Sequence, residues 1–508
     1  MKHTKNQYPP AQTPSCGELV EPFSFIEPKS VHLIGIFGIG VSSLAQWFSA
    51  QKWSVSGSDA VLSPIPAELK KAGVKAKIGH KKANIPARCG LIIYSNAIGS
   101  DNAEIREARR RNIPVLSYSE AVGELTKFYK TICVSGMHGK STTTALVGLM
   151  LIKAGLDPTI IIGTRLKELG GKNFRAGKSE YLVLEADEYK DAFLEYSPAF
   201  AITTNLDREH LDYFKNESNV KKSFLKFFSG IRNGGGLILN ADNEMLRSLK
   251  QKIDEASKIN GTKVKWYSLR NKEALKIKKY IKLSGRHNIS NALAVFCLSK
   301  FLGIREKVFL STILGYNGSW RRMEYRGNFR ITNLKLRIPI YDDYAHHPTE
   351  IKATLQAFRE KFPNRRIICV FQPHQAERLK LLFKEFKNAF ADADTAVILP
   401  IYRVRGRESS AASKFDSESL VKAMQKAEPH RQIFYLKELK NLKKALDVLL
   451  SDKSFPCRVK AQKSALNPRL RQGYGGQARK SAVVIMMGAG DIVNYTDTLL
   501  KVHEVESS

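Results

Sequence analysis

The chain has 508 residues but only six cysteines, Cys16, Cys89, Cys133, Cys297, Cys369 and Cys457, each standing alone. Without a C-x-x-C pair there is no support for a zinc cage or a disulfide framework, and a reducing, cytoplasmic setting fits. Long apolar runs are also missing: none approaches the ~18 residues that a bilayer span requires. The opening MKHTKNQYPPAQTPSCGELVEP carries two lysines but no apolar h-region, which excludes a secretory signal there. Residues 1–29 read as a disordered lead-in. Acidic residues are scarce, 48 against 82 basic, for a net charge of +34. That balance suits anionic partners. The charge is spread over residues 250–282, 359–387, 437–444 and 458–480. It is not gathered in one stripe with interleaved aromatics, so no specific nucleic-acid groove is expected.

What is present suffices for about three domains of ~150 residues. From Val31, VHLIGIFGIGVSSLAQWFSAQKWSVSGSD is an apolar strand, a glycine turn (Gly35, Gly38, Gly40), a helix with Leu44, Trp47 and Phe48 on one face, and a second strand ending at Ser58-Asp59. This β-α-β pattern, with an acidic residue about twenty places after the glycines, is that of nucleotide-binding folds. LIIYSNAI and IPVLSYSEAV continue the unit to residue 130. A second unit, 131–320, opens with a strand at Thr131, a loop, and a helix with Leu146, Leu149, Met150 and Ile152 on one face. YLVLEADEY, AFAITTNLDREH and GGGLILN add strands, and LSGRHNISNALAVFCLSKFLG adds a helix. The third unit, 321–508, contains IPIYDDYAHHPTEIKATLQAFRE, IICVFQPH, TAVILP and SAVVIMMGAGDI. Its basic, Gly/Gln-rich stretch 457–480 reads as an insertion in a surface loop. Strand–helix alternation predicts a parallel sheet in each unit.

The second unit's loop is VSGMHGKSTTTA, residues 134–145. Gly139-Lys140-Ser141 closes it as a phosphate loop closes, but Val134 stands where the Walker pattern wants its first glycine. Backbone N–H groups at such a helix start attract phosphate, Lys140 can reach the β/γ-phosphates, and the Ser141 hydroxyl can ligate Mg²⁺. Glu185-Ala186-Asp187-Glu188 follows one strand and Asn205 to His210 another. Carboxylates and an imidazole at those ends either hold a metal opposite the phosphates or form solvated turns. In the third unit, Asp342-Asp343-Tyr344-Ala345-His346-His347 and Gln372-Pro373-His374, with Arg378 beyond, follow strands. Neighbouring histidines point apart, so substrate or phosphate contacts are expected rather than a zinc site.

Together these stretches resemble the Mur ligases of cell-wall synthesis. GIFGIGVSSLA, VSGSD, GMHGKSTTT, EADEYKDAFL, TTNLDREHLDYF, GRHNISNALA, WRRMEYRG, DDYAHHPTEIKATL, FQPH and MGAGDI occur in the family's order from Val31 to Val493. The resemblance implies an α/β protein of three consecutive domains, with a Rossmann-like N-terminal domain, a P-loop ATPase-like central domain and a Rossmann-like C-terminal domain. It also implies ATP and Mg²⁺ as cofactors, and UDP-N-acetylmuramate and L-alanine as substrates joined through an acyl phosphate, in a monomer or homodimer. Gly136, Met137, His138, Gly139, Lys140, Ser141 and Thr142 would wrap the phosphates. His287 and Asn291 would lie near the adenine. Ser141, Glu185 and His210 would hold Mg²⁺. Arg322 and Asp343 would touch phosphate and ribose. Tyr344, His346 and Arg378 would orient the muramyl end and the amino acid. Gly38, Ile39, Gly40, Ser58, Asp59, His80, Ser95 and Asn96 would line the UDP-sugar site.

Some positions depart from the family pattern. Ser43 replaces a helix glycine, which should loosen packing slightly, Ser284 replaces a proline, and Glu209 replaces an aspartate before His210. Relatives carry a carbamylated lysine near the metal, a part that Lys221 or Lys222 could fill. The nearest alternative is a sister ligase that attaches a tripeptide to the same UDP-sugar. A nicotinamide-dependent oxidoreductase or a basic nucleic-acid-binding protein would leave the phosphate loop and the acidic strand ends without a role.

Overall fold

The computed structural model describes residues 22–60, 66–331, 336–403, 415–451 and 482–501. The segment 457–480 and residues 1–21 lie outside that range. The first sheet contains β1 (Ser30–Ile34), β2 (Ser54–Asp59), β3 (Lys75–Ile78), β4 (Leu91–Tyr94) and β5 (Val115–Ser117). Its order is β3-β2-β1-β4-β5, and every pair is parallel. The SVHLI of β1 is buried at every position, as befits a central parallel strand covered on both faces. Strand order reverses about β1, so the loops after β1 and β4 part and leave a crevice at the carboxyl ends.

Two expectations change in this domain. Residues 22–29, assigned to a disordered lead-in, are structured: Phe23 and Ile26 are buried. The Phe23 ring lies 6.2, 5.2 and 6.3 Å from the rings of Trp47, Phe48 and Trp53. Two apolar residues three apart are too few to register as a period, yet they cap an aromatic cluster. The helix Ile39–Ala50 is buried from Val41 to Phe48 rather than along one face. Its outer side packs on a hairpin of the second domain. There Asn173 Nδ2 donates to the Ile39 carbonyl at 2.6 Å and to Ser43 Oγ at 2.7 Å. Ser43 therefore links two domains, where looser packing was expected.

The second sheet contains β6 (Lys130–Ser135), β7 (Thr159–Leu166), β8 (Lys172–Arg175), β9 (Tyr181–Glu185), β10 (Phe200–Thr203), β11 (Gly236–Asn240) and β12 (Lys263–Tyr267), in the order β12-β11-β10-β6-β9-β7-β8. The β7–β8 pair is antiparallel; the other pairs are parallel. Helices Lys140–Lys153 and Arg286–Phe301 bury Leu146, Met150, Leu293 and Leu298 in one core beneath the sheet. Register decides the chemistry here. Val134 of β6 pairs with Glu185 of β9, and Ser135 pairs with Thr203 of β10. The loop after β6 thus emerges between the two acidic strand ends.

The third sheet contains β13 (Glu324–Ile331), β14 (Leu336–Asp343), β15 (Arg366–Phe371), β16 (Thr395–Ile398), β17 (Gln432–Tyr435) and β18 (Ala482–Met487), in the order β13-β14-β18-β15-β16-β17. β13 is an antiparallel edge strand, where an all-parallel sheet was expected. β18, last in sequence, is central and wholly buried between β14 and β15. The DDYAHH and QPH turns therefore leave the same edge, on either side of β18.

Candidate functional site

The phosphate loop is shaped by two glycines. Gly136 has φ 117° and Gly139 φ 85°, conformations that side chains rarely adopt. A Cβ at these positions would lie 2.4 Å from Thr204 Oγ1 and 2.7 Å from Asn291 Oδ1. Val134 is a buried strand residue, so the missing Walker glycine falls before the loop begins. The loop is tied to the residues after β10. Met137 N donates to the Asn205 carbonyl at 3.2 Å, His138 N to Asn205 Oδ1 at 2.9 Å, and Asn205 Nδ2 to the His138 carbonyl at 2.9 Å. Helix Lys140–Lys153 starts at Gly139 with no side-chain cap, leaving its first N–H groups directed at whatever fills the loop.

Acidic groups face that helix start. Ser141 Oγ donates to Glu185 Oε1 at 2.9 Å, and Gly163 N donates to Glu185 Oε2 at 2.8 Å. Lys140 Nζ donates to both oxygens of Glu188, at 2.8 and 2.9 Å. His210 Nε2 lies 3.5 Å from Glu188 Oε1. Burial raises the Glu185 carboxyl, and burial together with Glu188 raises Asp187. Burial also opposes ionisation of Glu188, but Lys140 and His210 outweigh it and hold that carboxyl below its usual value. Ligand atoms of Asp187, Glu188 and His210 lie within 4.8 Å of one another. Hard oxygen donors with one imidazole at this spacing suit a divalent cation. Glu188 is one of the carboxylates that the sequence leaves as metal-holding or solvated, and the structure adds its contacts to Lys140 and His210. Lys221 pairs with Glu217 at 2.6 Å and Lys222 is exposed.

A cleft of about 560 Å³ opens between the second and third domains, lined by His138, Gly139, Thr142, His287, Asn291, Arg322, Asp343 and Glu350 among others. It brings loop, helix and third-domain residues together. Burial and Arg322 push the His287 imidazole down to about 4. Asp343 accepts from Met323 N at 2.8 Å and from Ala345 N at 2.9 Å, which fixes its turn, and burial raises its carboxyl. The Tyr344 ring carries the Arg321 and Arg322 guanidinium groups, each 5.0 Å away. His346 Nδ1 lies 3.0 Å from the Tyr344 carbonyl. Burial drives its imidazole down to about 4. Arg378 spends Nε and Nη2 on Glu209 Oε1, at 3.0 and 2.6 Å, so its fork faces the second domain.

The paired histidines do diverge. His347 Nδ1 accepts from Thr349 N at 3.2 Å, which places the proton on Nε2. That nitrogen has no lone pair to offer, so the nearby group of His138, Glu209 and His347 does not fit a cation. His138 itself is bound at both ring nitrogens. Nε2 lies 2.9 Å from Asp207 Oδ2, and Nδ1 lies 3.2 Å from Glu350 Oε1. Asp207 lies in a stretch whose carboxylates either hold a metal or form a solvated turn, and Glu350 has no expected role; packing of two domains is what brings both to His138.

The eight residues expected at the UDP-sugar site lie on the carboxyl rim of the first sheet, about the crevice between β1 and β4. Gly38 caps the helix that begins Ile39-Gly40. Asp59 Oδ2 accepts from Phe37 N at 2.9 Å. Ser58 Oγ lies 2.9 Å from His80 Nδ1 and donates to Glu104 Oε2 at 2.5 Å. Glu104 is fully buried and accepts from Asn84 Nδ2 at 2.6 Å and Lys81 N at 3.0 Å. Burial would raise its carboxyl, yet the His32 imidazole 3.5 Å away and hydrogen bonds from Ser58 and Asn84 hold it low. Nothing in the spacing of Glu104 marked it as the anchor of this rim. Ser95 N donates to the Ile34 carbonyl at 2.9 Å, and Asn96 Nδ2 to Ser119 Oγ at 3.3 Å.

Three family models match successive parts of the chain: Mur ligase family, catalytic domain, over residues 30–130; Mur ligase middle domain, over 134–299; and Mur ligase, glutamate ligase domain, over 321–455. Among curated relatives, a UDP-N-acetylmuramate–L-alanine ligase of Aquifex aeolicus is 39% identical over 74% of this chain and 84% of its own length. One from Desulforapulum autotrophicum is 34% identical over 93% of this chain and 98% of its own. Among solved structures, UDP-N-acetylmuramate-alanine ligase from Thermotoga maritima aligns with a TM-score of 0.70 at 23% identity, covering 94% of this chain and 99% of that one. A murein peptide ligase from Psychrobacter arcticus aligns with a TM-score of 0.61 at 21% identity, covering 93% and 98%. The last two likenesses concern the fold.

Proposed function

The chain belongs to the Mur ligase family, and from this premise we propose that it joins L-alanine to the lactyl carboxylate of UDP-N-acetylmuramate, consuming ATP and releasing ADP and phosphate, in peptidoglycan precursor synthesis. The observation that carries the reading is the loop Gly136–Ser141 set between Glu185 and Glu188, facing a cleft closed by Arg322 and Asp343. With a UDP-sugar and ATP as substrates, the place of action is the cytoplasm. No helix among the described residues is long and apolar enough to cross a membrane.

The chemistry follows from the residues. A carboxylate at neutral pH is a poor electrophile, and transferring a phosphoryl group to it creates a leaving group. Lys140 exchanges Glu188 for the β/γ-phosphates. Ser141 and Glu185 would hold one Mg²⁺, and His210 with Glu188 and Asp187 would hold another; bound there, the metal neutralises charge on the phosphates. Arg322 meets the transferred group, and Asp343 keeps the turn behind it in place. His287 and Asn291 flank the adenine end of the cleft. His346 donates Nδ1–H to the Tyr344 carbonyl, leaving Nε2 as a neutral acceptor that, with Tyr344 and Arg378, orients the muramyl end and the amino acid. The rim Gly38, Ile39, Gly40, Ser58, Asp59, His80, Ser95 and Asn96 receives the UDP-sugar.

The test is phosphate release from ATP with UDP-N-acetylmuramate plus L-alanine, glycine, L-serine or a tripeptide. L-alanine should be preferred. Turnover with the tripeptide alone would move the assignment to the sister ligase. Tight NAD binding without ATP binding, or DNA binding that weakens steeply with salt without any turnover, would remove it from ligation altogether.

A further inference from the structure

We propose that Glu350 is a positioning residue that ties the charge of the phosphate loop to domain closure, holding His138 as an imidazolium only while helix Pro348–Lys361 is seated on the loop. The proposal rests on the ATP-dependent reading above. Ionised carboxylates only accept hydrogen bonds, so a ring whose two nitrogens both meet carboxylates must carry both protons. His138 is such a ring, with Asp207 at 2.9 Å on one side and Glu350 at 3.2 Å on the other. Asp207 belongs to the second domain and is always at hand; Glu350 arrives with the third.

The grip is built at both ends. Thr349 Oγ1 donates to Asp207 Oδ2 at 2.7 Å, so adjacent residues of one helical turn hold one carboxylate partner of His138 and supply the other. Glu350 Oε2 accepts from His346 N at 3.0 Å and His347 N at 3.3 Å, which locks its rotamer. The other groups facing His138 are the His347 ring, 5.0 Å away, and Glu209 beside it. Arg322 stands 3.9 Å from Glu350. Burial pulls the His138 imidazolium down, but Asp207 and Glu350 more than offset this and carry it up to about 10. With the third domain undocked, Asp207 alone remains. Seating the helix thus adds one carboxylate and secures one proton, so it fixes the loop ring as an imidazolium without adding net positive charge.

The experiment compares the full chain with E350Q, in which Gln keeps the size and can still cap the helix. Imidazole titration by nuclear magnetic resonance, with the His138 signal assigned through His138→Gln, reads the clamp without reference to substrate. E350Q should lower the His138 value by about two pH units. In the ligation assay, E350Q should lower kcat about 10- to 100-fold with KM for ATP nearly unchanged, and add an alkaline loss of rate between about pH 7 and 9. In the His138→Gln background the same change should cost little, since the two residues act as one unit. An unmoved His138 titration, or a rate loss equal at every pH and additive with His138→Gln, would reduce Glu350 to a helix cap and overturn the proposal. Inactive wild-type protein with a titration that shifts as expected would instead count against the substrate assignment alone.

Discussion

Lys140 Nζ, at the start of the phosphate-loop helix, is held by both oxygens of Glu188, three residues beyond the end of β9. The lysine is therefore aimed across the loop by a carboxylate, the partner that it exchanges for phosphate in the function proposed above. Lys140→Ala should abolish turnover, a loss of at least about 10³-fold in kcat from one removed charge contact at the transferred group. Single-turnover phosphate release checks it, and near-normal kcat would refute the role of Lys140. Glu188→Gln should keep nucleotide binding while raising the Mg²⁺ concentration needed for half-maximal rate.

Docking of the third domain should depend on pH through His138. Its value in the folded chain, about 10, lies above the ordinary 6.5, so protonation favours the docked form. Undocked, the ring keeps Asp207 and lies about two units lower, so that stabilisation is complete below about pH 8 and is lost as pH rises through about 10. Asp207 and Glu209 are held below their usual values, so their contribution is present above about pH 4 and fades as pH falls further. Small-angle scattering across pH should show the most compact chain between these limits; a radius unchanged through pH 10 would contradict the clamp.

Asn173 joins the first two domains through Ile39 and Ser43. Asn173→Ala should destabilise their contact by about 1–3 kcal/mol, because buried partners on the helix lose their donor. Hydrogen exchange over residues 39–50 is the readout, and protection equal to wild type would show the contact to be inert.

Phe23 closes an aromatic cluster with Trp47, Phe48 and Trp53. Phe23→Ala should cost about 3–5 kcal/mol of first-domain stability. A denaturation midpoint that does not move would mean that the segment 22–29 contributes nothing to the core.

Much of this was legible in one dimension. Strand–glycine–helix patterns marked Gly136 to Ser141 and Gly35 to Asp59, because backbone conformation and apolar periodicity are local properties. Glu185 and His210 could be named because one ends an apolar strand and the other closes the polar stretch after one, and parallel strands deliver their carboxyl ends to one edge. Glu188, Asp207 and Glu350 were in the same motifs but not separable from solvated acids, since a carboxylate becomes a clamp only through what packs opposite it. Glu104 gave no signal at all: it lies 46 residues from its partner Ser58. The antiparallel edges β8 and β13 and the buried Phe23 segment were likewise decided by neighbours far along the chain.

The sequence by itself determined three α/β units, the phosphate loop and the set of polar strand ends, because hydrophobic period, glycine conformation and charge are carried by adjacent residues. Only the tertiary structure decided which polar groups meet. Sheet register set the loop between Glu185 and Thr203, and the seating of one domain on another brought Glu350 to His138 and Arg378 to Glu209. Hydrogen bonds and ion pairs act over a few ångströms, and chain order does not say which distant residues come that close.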